Sequence, residues 1–168
     1  MAKLIKTKSK DFTLRFAEKN DSLLVLEFIK KLADYEKRLH EVTADESDIR
    51  NSLFKNKYAE AIIGEYKKVP VGFAIFFHNF STFLGKPGIY IEDIFVDPEM
   101  RGRGFGSIIF NFFAKLAIER GCGRVEWSVL TWNEPSIRFY EKLGAVPKNE
   151  WMLYKLSGEV LRSLASEY

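Results

Sequence analysis

The chain has 168 residues, of which 46% are hydrophobic and 29% charged, a composition typical of one globular domain with a substantial core. A net charge of +3, with basic residues spread among acidic ones, does not favour a nucleic-acid-binding protein. No apolar run is long enough for a membrane span, and the basic N-terminus MAKLIKTKSKDF lacks the apolar stretch of a secretory signal. We expect a single domain over residues 1–168, a flexible tail at 1–10, and a cytoplasmic location that fits the single Cys122.

The first half of the chain predicts strands and helices from its periodicity. In chain order these are a strand at 12–17, a helix from Asn20 or Asp21 to about Lys37, a helix from a capping box at Thr43 to about Phe54, and strands at 59–66 and 71–80. The Lys-Lys-Val-Pro sequence between the last two strands predicts a hairpin.

The second half predicts strand–helix units after a glycine-containing loop at 81–88. The elements are a strand at 89–96, a helix at 105–120, a strand at 124–130, a helix at 135–143, a strand at 151–156 and a helix at 157–166. Strands concentrated early and strand–helix pairs later predict an α/β fold, with a mixed sheet and helices on both faces.

One loop of this pattern carries chemistry. Residues 97–107 read DPEMRGRGFGS, with three glycines and two arginines between a strand and a helix. A loop that enters a helix N-terminus offers unpaired N–H groups, and glycine lets the backbone approach an anion closely. We therefore predict a phosphate-binding loop in which Arg101 and Arg103 add charge-assisted hydrogen bonds. The spacing is neither that of the P-loop nor that of the dinucleotide fingerprint, and a solvated surface turn is the alternative.

The order R-x-x-G-x-G after the strand IYIEDIFV resembles the GNAT superfamily of acyl-CoA-dependent N-acetyltransferases, in which this loop holds the pyrophosphate of coenzyme A. The stretch TWNEPSIRFYEKLG at 131–144 resembles the second CoA-proximal motif of that superfamily. Residues 89–106 and 132–140, KLADYEK at 31–37 and the late EW at 150–151 resemble the diamine (spermidine/spermine) acetyltransferases and their thialysine-acetylating relatives. The resemblance implies the GNAT fold: a mostly antiparallel central sheet, helices on both faces, and a splayed strand pair at the acetyl-CoA site.

The resemblance also implies acetyl transfer from acetyl-CoA, a co-substrate, to a small amine, with a homodimer as the assembly. An alkyl amine has a pKa near ~10, so only about one molecule in a thousand is neutral and nucleophilic at pH 7. Glu92 matches the base, acting directly or through water, and Tyr140 matches the proton donor to the leaving sulfur. Asn133 and Ser136 match positions near the acetyl end, although helix capping explains both equally well. No set of His, Cys and carboxylate residues has metal-ligand spacing, so we expect no metal.

Two sets of residues follow from the same resemblance. The cofactor contacts it implies are Ile94, Phe95, Val96, Arg101, Gly102, Arg103, Gly104, Phe105, Gly106, Ser107, Asn133, Ser136 and Tyr140. The amine contacts it implies are Glu27, Glu92, Asp93, Glu126, Trp127, Ser128, Glu150 and Trp151. For Asp93, a role at a subunit contact stays open beside a role in binding the charge of the amine.

One departure from the polyamine-specific pattern bears on the acceptor. The loop FSTFLGK has Ser81 about where the polyamine enzymes have an aspartate, which is closer to the thialysine type and argues against spermidine and spermine. Two other functions remain as alternatives to the enzyme. One is a CoA-binding regulatory module without turnover, and the other is a nucleic-acid binder that uses Arg101 and Arg103.

Overall fold

The computed structural model describes residues 4–168, which form one six-stranded sheet and five α-helices. The strands are β1 (Ile5–Lys6), β2 (Phe12–Phe16), β3 (Glu60–Tyr66), β4 (Val69–Ser81), β5 (Lys86–Val96) and β6 (Val125–Trp127). The helices are α1 (Ser22–Tyr35), α2 (Glu46–Ile49, continued by a π-helical turn at Arg50–Lys55), α3 (Phe105–Glu119), α4 (Glu134–Lys142) and α5 (Gly158–Ser166). Strand order follows chain order, and every neighbouring pair is antiparallel except the parallel pair β5–β6. The predicted α/β fold with a mostly antiparallel mixed sheet is confirmed.

The chain contains two compact units. The first unit ends at Ser128 and contains the whole sheet with α1, α2 and α3. The second unit, Val129–Tyr168, contains α4 and α5.

One face of the sheet is covered by α1. Val25 and Phe28 of this helix join a buried cluster with Phe73, Ile75 and Phe95 of β4 and β5. The rings of Phe28 and Phe73 are stacked, with centroids 5.3 Å apart. Each such side chain contributes about 1.5–3 kcal/mol through its removal from water, so this cluster fixes α1 on the strands that lead into the loop at 97–107.

The opposite face is covered by α3, as its predicted apolar stripe requires. Phe105, the first residue of the helix, stacks on Phe12 of β2 with ring centroids 4.1 Å apart. Near the middle of the helix, Phe113 packs edge-on against Phe76 of β4 at 5.0 Å. These aromatic pairs add about 0.5–1.5 kcal/mol each beyond their area burial, and they hold the start of α3 against the sheet.

The predicted hairpin between β3 and β4 is confirmed, with a tighter turn than expected. Lys67 and Lys68 alone connect the strands, and their φ angles are 50° and 69°. Positive φ at both central residues is the mirror-image turn whose twist matches a hairpin, although glycine or asparagine adopts it at lower cost than lysine.

Two local expectations were wrong. The capping box of α2 begins at Asp45, not Thr43, because Asp45 and Asp48 accept each other's backbone N–H across the first turn. The strand expected at 151–156 is absent from the described chain. Of the tail expected at 1–10, Ile5–Lys6 pairs with β2, and residues 1–3 lie outside the described residues.

Candidate active site

The glycine–arginine loop adopts a conformation that requires its glycines. It follows a single 3₁₀ turn at Pro98–Met100 and ends at Gly104, the N-cap of α3. Gly102 and Gly104 have φ angles of 75° and 81°, which strain any residue with a Cβ. A Cβ at either position would meet no atom within 4 Å, so space is open on this side of the backbone. The glycines are therefore needed for backbone shape rather than for packing.

The start of α3 presents backbone donors. The first helical hydrogen bond runs from the N–H of Ile108 to the carbonyl of Gly104, at 3.1 Å. The N–H groups of Phe105, Gly106 and Ser107 precede this bond and have no partner in their own helix. These groups, with the positive end of the helix dipole, suit an anion such as phosphate.

Both loop arginines are exposed, and both lie over aromatic rings. The guanidinium of Arg101 is 4.4 Å from the centroid of Tyr35, the last residue of α1, and its Nε donates to the carbonyl of Val96 at 3.1 Å. The guanidinium of Arg103 is 5.5 Å from the centroid of Tyr66, the last residue of β3. Positive charge is therefore held beside the open loop backbone.

A β-bulge in β5 interrupts its regular pairing with β4. The β4–β5 pairing shifts register so that Ile75 faces Asp93 and Phe76 faces Ile91, which makes Glu92 the extra residue. Pairing with β6 covers only Ile89 to Ile91, so β5 continues past the end of that ladder.

Two hydrogen bonds locate the free donors of β5. Ile89 N–H points to β6, where it donates to the Arg124 carbonyl, whereas Asp97 N–H points to β4 and donates to the Val71 carbonyl. Because N–H direction alternates along a strand, counting back from Asp97 aims the N–H groups of Val96 and Ile94 away from β4. Phe95 lies between them with its ring buried on the α1 side, 6.4 Å from that of Phe28. The two donors predicted from the sequence thus lie where β6 no longer accompanies β5.

Three carboxylates influence one another near the bulge. Asp93 is half-buried on the α1 side of the sheet, opposite Ile75. Burial, together with the nearby charges of Glu92 and Glu36, raises the pKa of Asp93 to about 6. Burial also raises the pKa of Glu36, an effect that Arg38 offsets in part. Glu92 is exposed. This acidic cluster of Glu36, Glu92 and Asp93 favours binding of a cation.

Glu126 has a different environment from the acidic cluster. It lies on β6 opposite Tyr90, forms an ion pair with Arg124 at 2.8 Å and accepts a hydrogen bond from Asn79 at 2.7 Å. Its charge is therefore already matched by protein groups. Its neighbours differ in direction: Trp127 packs against Phe110 of α3 at 4.7 Å, whereas Ser128 shares a hydrogen bond of 2.7 Å with Tyr90.

The second unit contains the TWNEPSIRFYEKLG motif. Asn133 is buried and is the N-cap of α4, where its side chain accepts from the N–H of Ser136 at 3.4 Å. The predicted capping role of Asn133 is thus present. Tyr140 is half-buried on the same helix, with its ring 5.5 Å from that of Phe139. Glu150 and Trp151 are exposed beyond α4, and Glu150 approaches Lys148 at 3.8 Å.

Among the predicted acceptor residues of the first unit, Glu92 and Asp93 lie at the β5 bulge, where the charge of Glu92 acts on Asp93. Glu27 is exposed on α1, nine residues before Glu36 and thus roughly 13 Å along the helix axis at 1.5 Å per residue. Glu36, the C-cap of α1, was not among the predicted site residues, yet its charge acts on Asp93. Its only signal was its place in KLADYEK, beside Tyr35.

The loop at the N-terminus of α3 suits an anion, and the acidic cluster of Glu36, Glu92 and Asp93 suits a cation. Comparison with known proteins shows the family to which the chain belongs. Residues 24–145 match the acetyltransferase (GNAT) family. Over 166 residues the chain is 33% identical to a thialysine N-epsilon-acetyltransferase of Sus scrofa, covering 92% of this chain and 97% of that one. Over 96 residues it is 46% identical to L-ornithine N5-acetyltransferase NATA1 of Arabidopsis thaliana, a match that spans 57% of this chain and 42% of that protein.

The chain therefore belongs to the GNAT family of acetyltransferases, a family that uses acetyl-CoA, and it is an enzyme of the N-acetyltransferase class. The fold agrees with an integron cassette protein from the mobile metagenome of V. cholerae, which has a TM-score of 0.79 at 24% identity and covers 94% of this chain and 99% of that one.

Among the described residues, 4–168, no helix is long and apolar enough to cross a membrane. No group of three or more His, Cys, Asp or Glu side chains among them is arranged to hold a metal ion.

Proposed function

We propose that this enzyme transfers the acetyl group of acetyl-CoA to the side-chain or terminal primary amine of a small cationic acceptor, by direct attack in a ternary complex. The acceptor class is a thialysine- or ornithine-like amino acid or a short diamine. The observation that carries the proposal is the acidic cluster of Glu36, Glu92 and Asp93, whose central carboxylate has a pKa raised to about 6. Asp93 is half-buried beside two other carboxylates, so its negative charge is unfavourable. The ammonium group of an acceptor placed beside Asp93 would offset that cost.

The first unit fits the co-substrate in two places. The N–H groups at the start of α3, with Arg101 and Arg103 beside them, suit the pyrophosphate. The free N–H groups of Ile94 and Val96 suit the amide and carbonyl groups of an extended pantetheine arm. When bound, acetyl-CoA supplies an acetyl group activated as a thioester.

The reaction requires two proton transfers, and we propose one residue for each. Attack forms an N–C bond and breaks the C–S bond, so one proton must leave the amine and one must reach the thiolate. Glu92, exposed at the bulge, is proposed to accept the first proton, directly or through water. Tyr140 is proposed to donate the second, a role supported by its position in the α4 motif.

Ser81 supports a short acceptor over spermidine or spermine. Its side chain is buried and accepts a hydrogen bond from the N–H of Leu84 at 3.2 Å, within the turn that joins β4 and β5. The hydroxyl is thus occupied in shaping that turn, and it offers no charge to a distal ammonium.

Two properties of the whole protein complete the proposal. We propose a homodimer, on the resemblance to the diamine subfamily. We also propose a cytoplasmic location, which the single, free Cys122 supports because reducing compartments keep thiols unpaired.

An acceptor screen tests the function. Thiol release from acetyl-CoA would be followed with thialysine, ornithine, lysine, short diamines, spermidine and spermine. We expect turnover with the first four classes and a lower kcat/KM with spermidine and spermine. Binding of acetyl-CoA in calorimetry without thiol release from any amine would instead support a CoA-binding regulatory module.

Two variants test the proton roles. Tyr140→Phe keeps the ring but removes the proton, so turnover should fall roughly 10²–10⁴-fold, with little change in cofactor affinity. The defect of Glu92→Gln should shrink as pH rises, because more amine is already neutral. Tyr168→Phe, at an exposed tyrosine of the same unit, is the matched control. If Tyr140→Phe retains more than about half of the turnover while chemistry limits the rate, the assignment of the acid is wrong.

A further inference from the structure

The loop arginines lie over two tyrosines that end two different elements. Arg101 lies over Tyr35 at the end of α1, at 4.4 Å, and over Phe95 of β5, at 5.7 Å. Arg103 lies over Tyr66 at the end of β3, at 5.5 Å. All three distances fall within the roughly 6 Å at which a guanidinium is attracted to an aromatic face. The loop is thus attached to two elements that are far apart in the sequence.

Hydrogen bonding fixes the direction of one of these arginines. Arg101 Nε donates to the carbonyl of Val96, the last residue of β5, at 3.1 Å. A planar guanidinium that is stacked on a ring and bonded through Nε keeps little rotational freedom. Nearby, Lys31 of α1 forms an ion pair with Asp97 at 2.9 Å, which also joins α1 to the start of the loop.

The loop backbone needs such attachments. Gly102 and Gly104 flank Arg103, and at both of them the space a Cβ would fill has no atom within 4 Å. Glycine has the largest conformational freedom to lose, so ordering an open glycine loop on a ligand costs binding free energy. Attachments that hold the loop before the ligand arrives reduce that cost.

We propose that Tyr35 and Tyr66 are positioning residues for the phosphate-binding loop, acting through Arg101 and Arg103. The inference rests on the proposed function, since it takes the pyrophosphate of coenzyme A as the ligand of the loop. The two tyrosines act without touching the phosphate: they hold the arginines, and the arginines hold the backbone donors in their binding arrangement. In the competing interpretation Arg101 and Arg103 act only as charges near the phosphate, and the rings below them are incidental.

The experiment measures coenzyme A binding by calorimetry without an acceptor amine. Tyr35→Leu and Tyr66→Leu should each weaken affinity about 3- to 10-fold, the effect expected from the loss of one cation–π contact. Tyr35→Phe and Tyr66→Phe keep the ring face and should bind within about twofold of the wild type. Tyr58→Leu, at an exposed tyrosine of the same unit, controls for the general effect of the substitution.

A second variant keeps the test decisive if a leucine variant fails to fold. Arg101→Lys, at an exposed position, keeps the charge but loses both the planar stack and the Nε bond. It should weaken coenzyme A binding as much as Tyr35→Leu does. Wild-type affinity in Arg101→Lys, or in folded leucine variants, overturns the inference, because charge alone would then explain the arginines. Failure of the wild type to bind coenzyme A would instead reject the proposed function, and the inference with it.

Discussion

Asp93 is a carboxylate whose environment differs clearly from that of an exposed side chain. Its folded-state pKa of about 6 lies above the ordinary value of 3.8, because burial and the charges of Glu92 and Glu36 disfavour ionisation. Below about pH 4 the carboxyl is protonated in both folded and unfolded chains, and it costs no stability. As pH rises towards 6, the Asp93 carboxyl ionises in the unfolded chain before it does so in the folded chain, so the free energy of unfolding falls. The decrease is complete once the pH exceeds the folded-state pKa.

We therefore expect Asp93→Asn to stabilise the protein at neutral pH. A pKa difference of two units corresponds to about 2–3 kcal/mol, present above pH 7 and absent near pH 3.5. Urea unfolding of both proteins across this pH range measures the difference. Asp34→Asn, at an exposed position of α1, is the matched control and should change stability by less than about 0.5 kcal/mol. A pH-independent difference between Asp93→Asn and the wild type would contradict the electrostatic origin.

Residue types and spacing indicated the loop, and the family resemblance indicated Glu92 and Asp93, but neither indicated the partners that decide their properties. Adjacent strand residues normally point to opposite faces, a rule that does not apply at the β5 bulge, which the sequence did not signal. Glu126 looked like Asp93 as a candidate, yet Arg124 and Asn79 match its charge. Such pairings join residues distant in the chain, so a periodic pattern contains no information on them.

At the scale of elements, prediction succeeded where the signals are local. The start of α3 at Phe105, and its end just before Gly121, followed from a glycine loop, an apolar stripe and a glycine stop. The prediction of a strand at 151–156 was wrong. The apolar run there suggested a strand, but it carried no information about whether a neighbouring strand is present. The end of α1 is also close to its predicted position for a local reason. Lys37, just beyond the helix, has a φ of 60°, and a left-handed residue at this position ends a helix.

The β3–β4 turn offers a prediction at this scale. Lys68 has a φ of 69°, a left-handed conformation that costs a residue with a Cβ roughly 1 kcal/mol relative to glycine. Lys68→Gly should therefore raise the free energy of unfolding by up to about 0.6 kcal/mol, because the greater flexibility of the unfolded glycine chain offsets about 0.4–1 kcal/mol of the relieved strain. Lys30→Gly makes the same change at an exposed position inside α1, where glycine should destabilise by about 1 kcal/mol. Denaturant titrations of both variants check the opposite signs, and a loss of stability in Lys68→Gly would refute the strain argument.

For the whole molecule, the two units differ in how they are stabilised. The buried aromatic clusters lie in the first unit, around the sheet. In the second unit α4 and α5 have no buried residues, and α5 presents Val160, Leu161 and Leu164 exposed at helical spacing. A helix of nine residues is marginal in water without tertiary packing. Length and composition do not reveal how burial is distributed along the chain, so the sequence did not predict this difference.

The exposed apolar side chains of the second unit bear on the proposed homodimer. Leu153 is 92% exposed and Tyr154 is 84% exposed, and the preceding residues Trp151 and Met152 are exposed as well. Exposed apolar side chains of this size favour a protein–protein interface, and in a homodimer both copies bury the same surface. Light scattering at micromolar concentration should therefore give twice the chain mass of 19.5 kDa, and Leu153→Lys should return the mass to that of one chain. Lys155→Glu, at an exposed charge of the same segment, should leave the dimer intact. A wild-type monomer would rule out the dimer, and a dimeric Leu153→Lys would place its interface elsewhere.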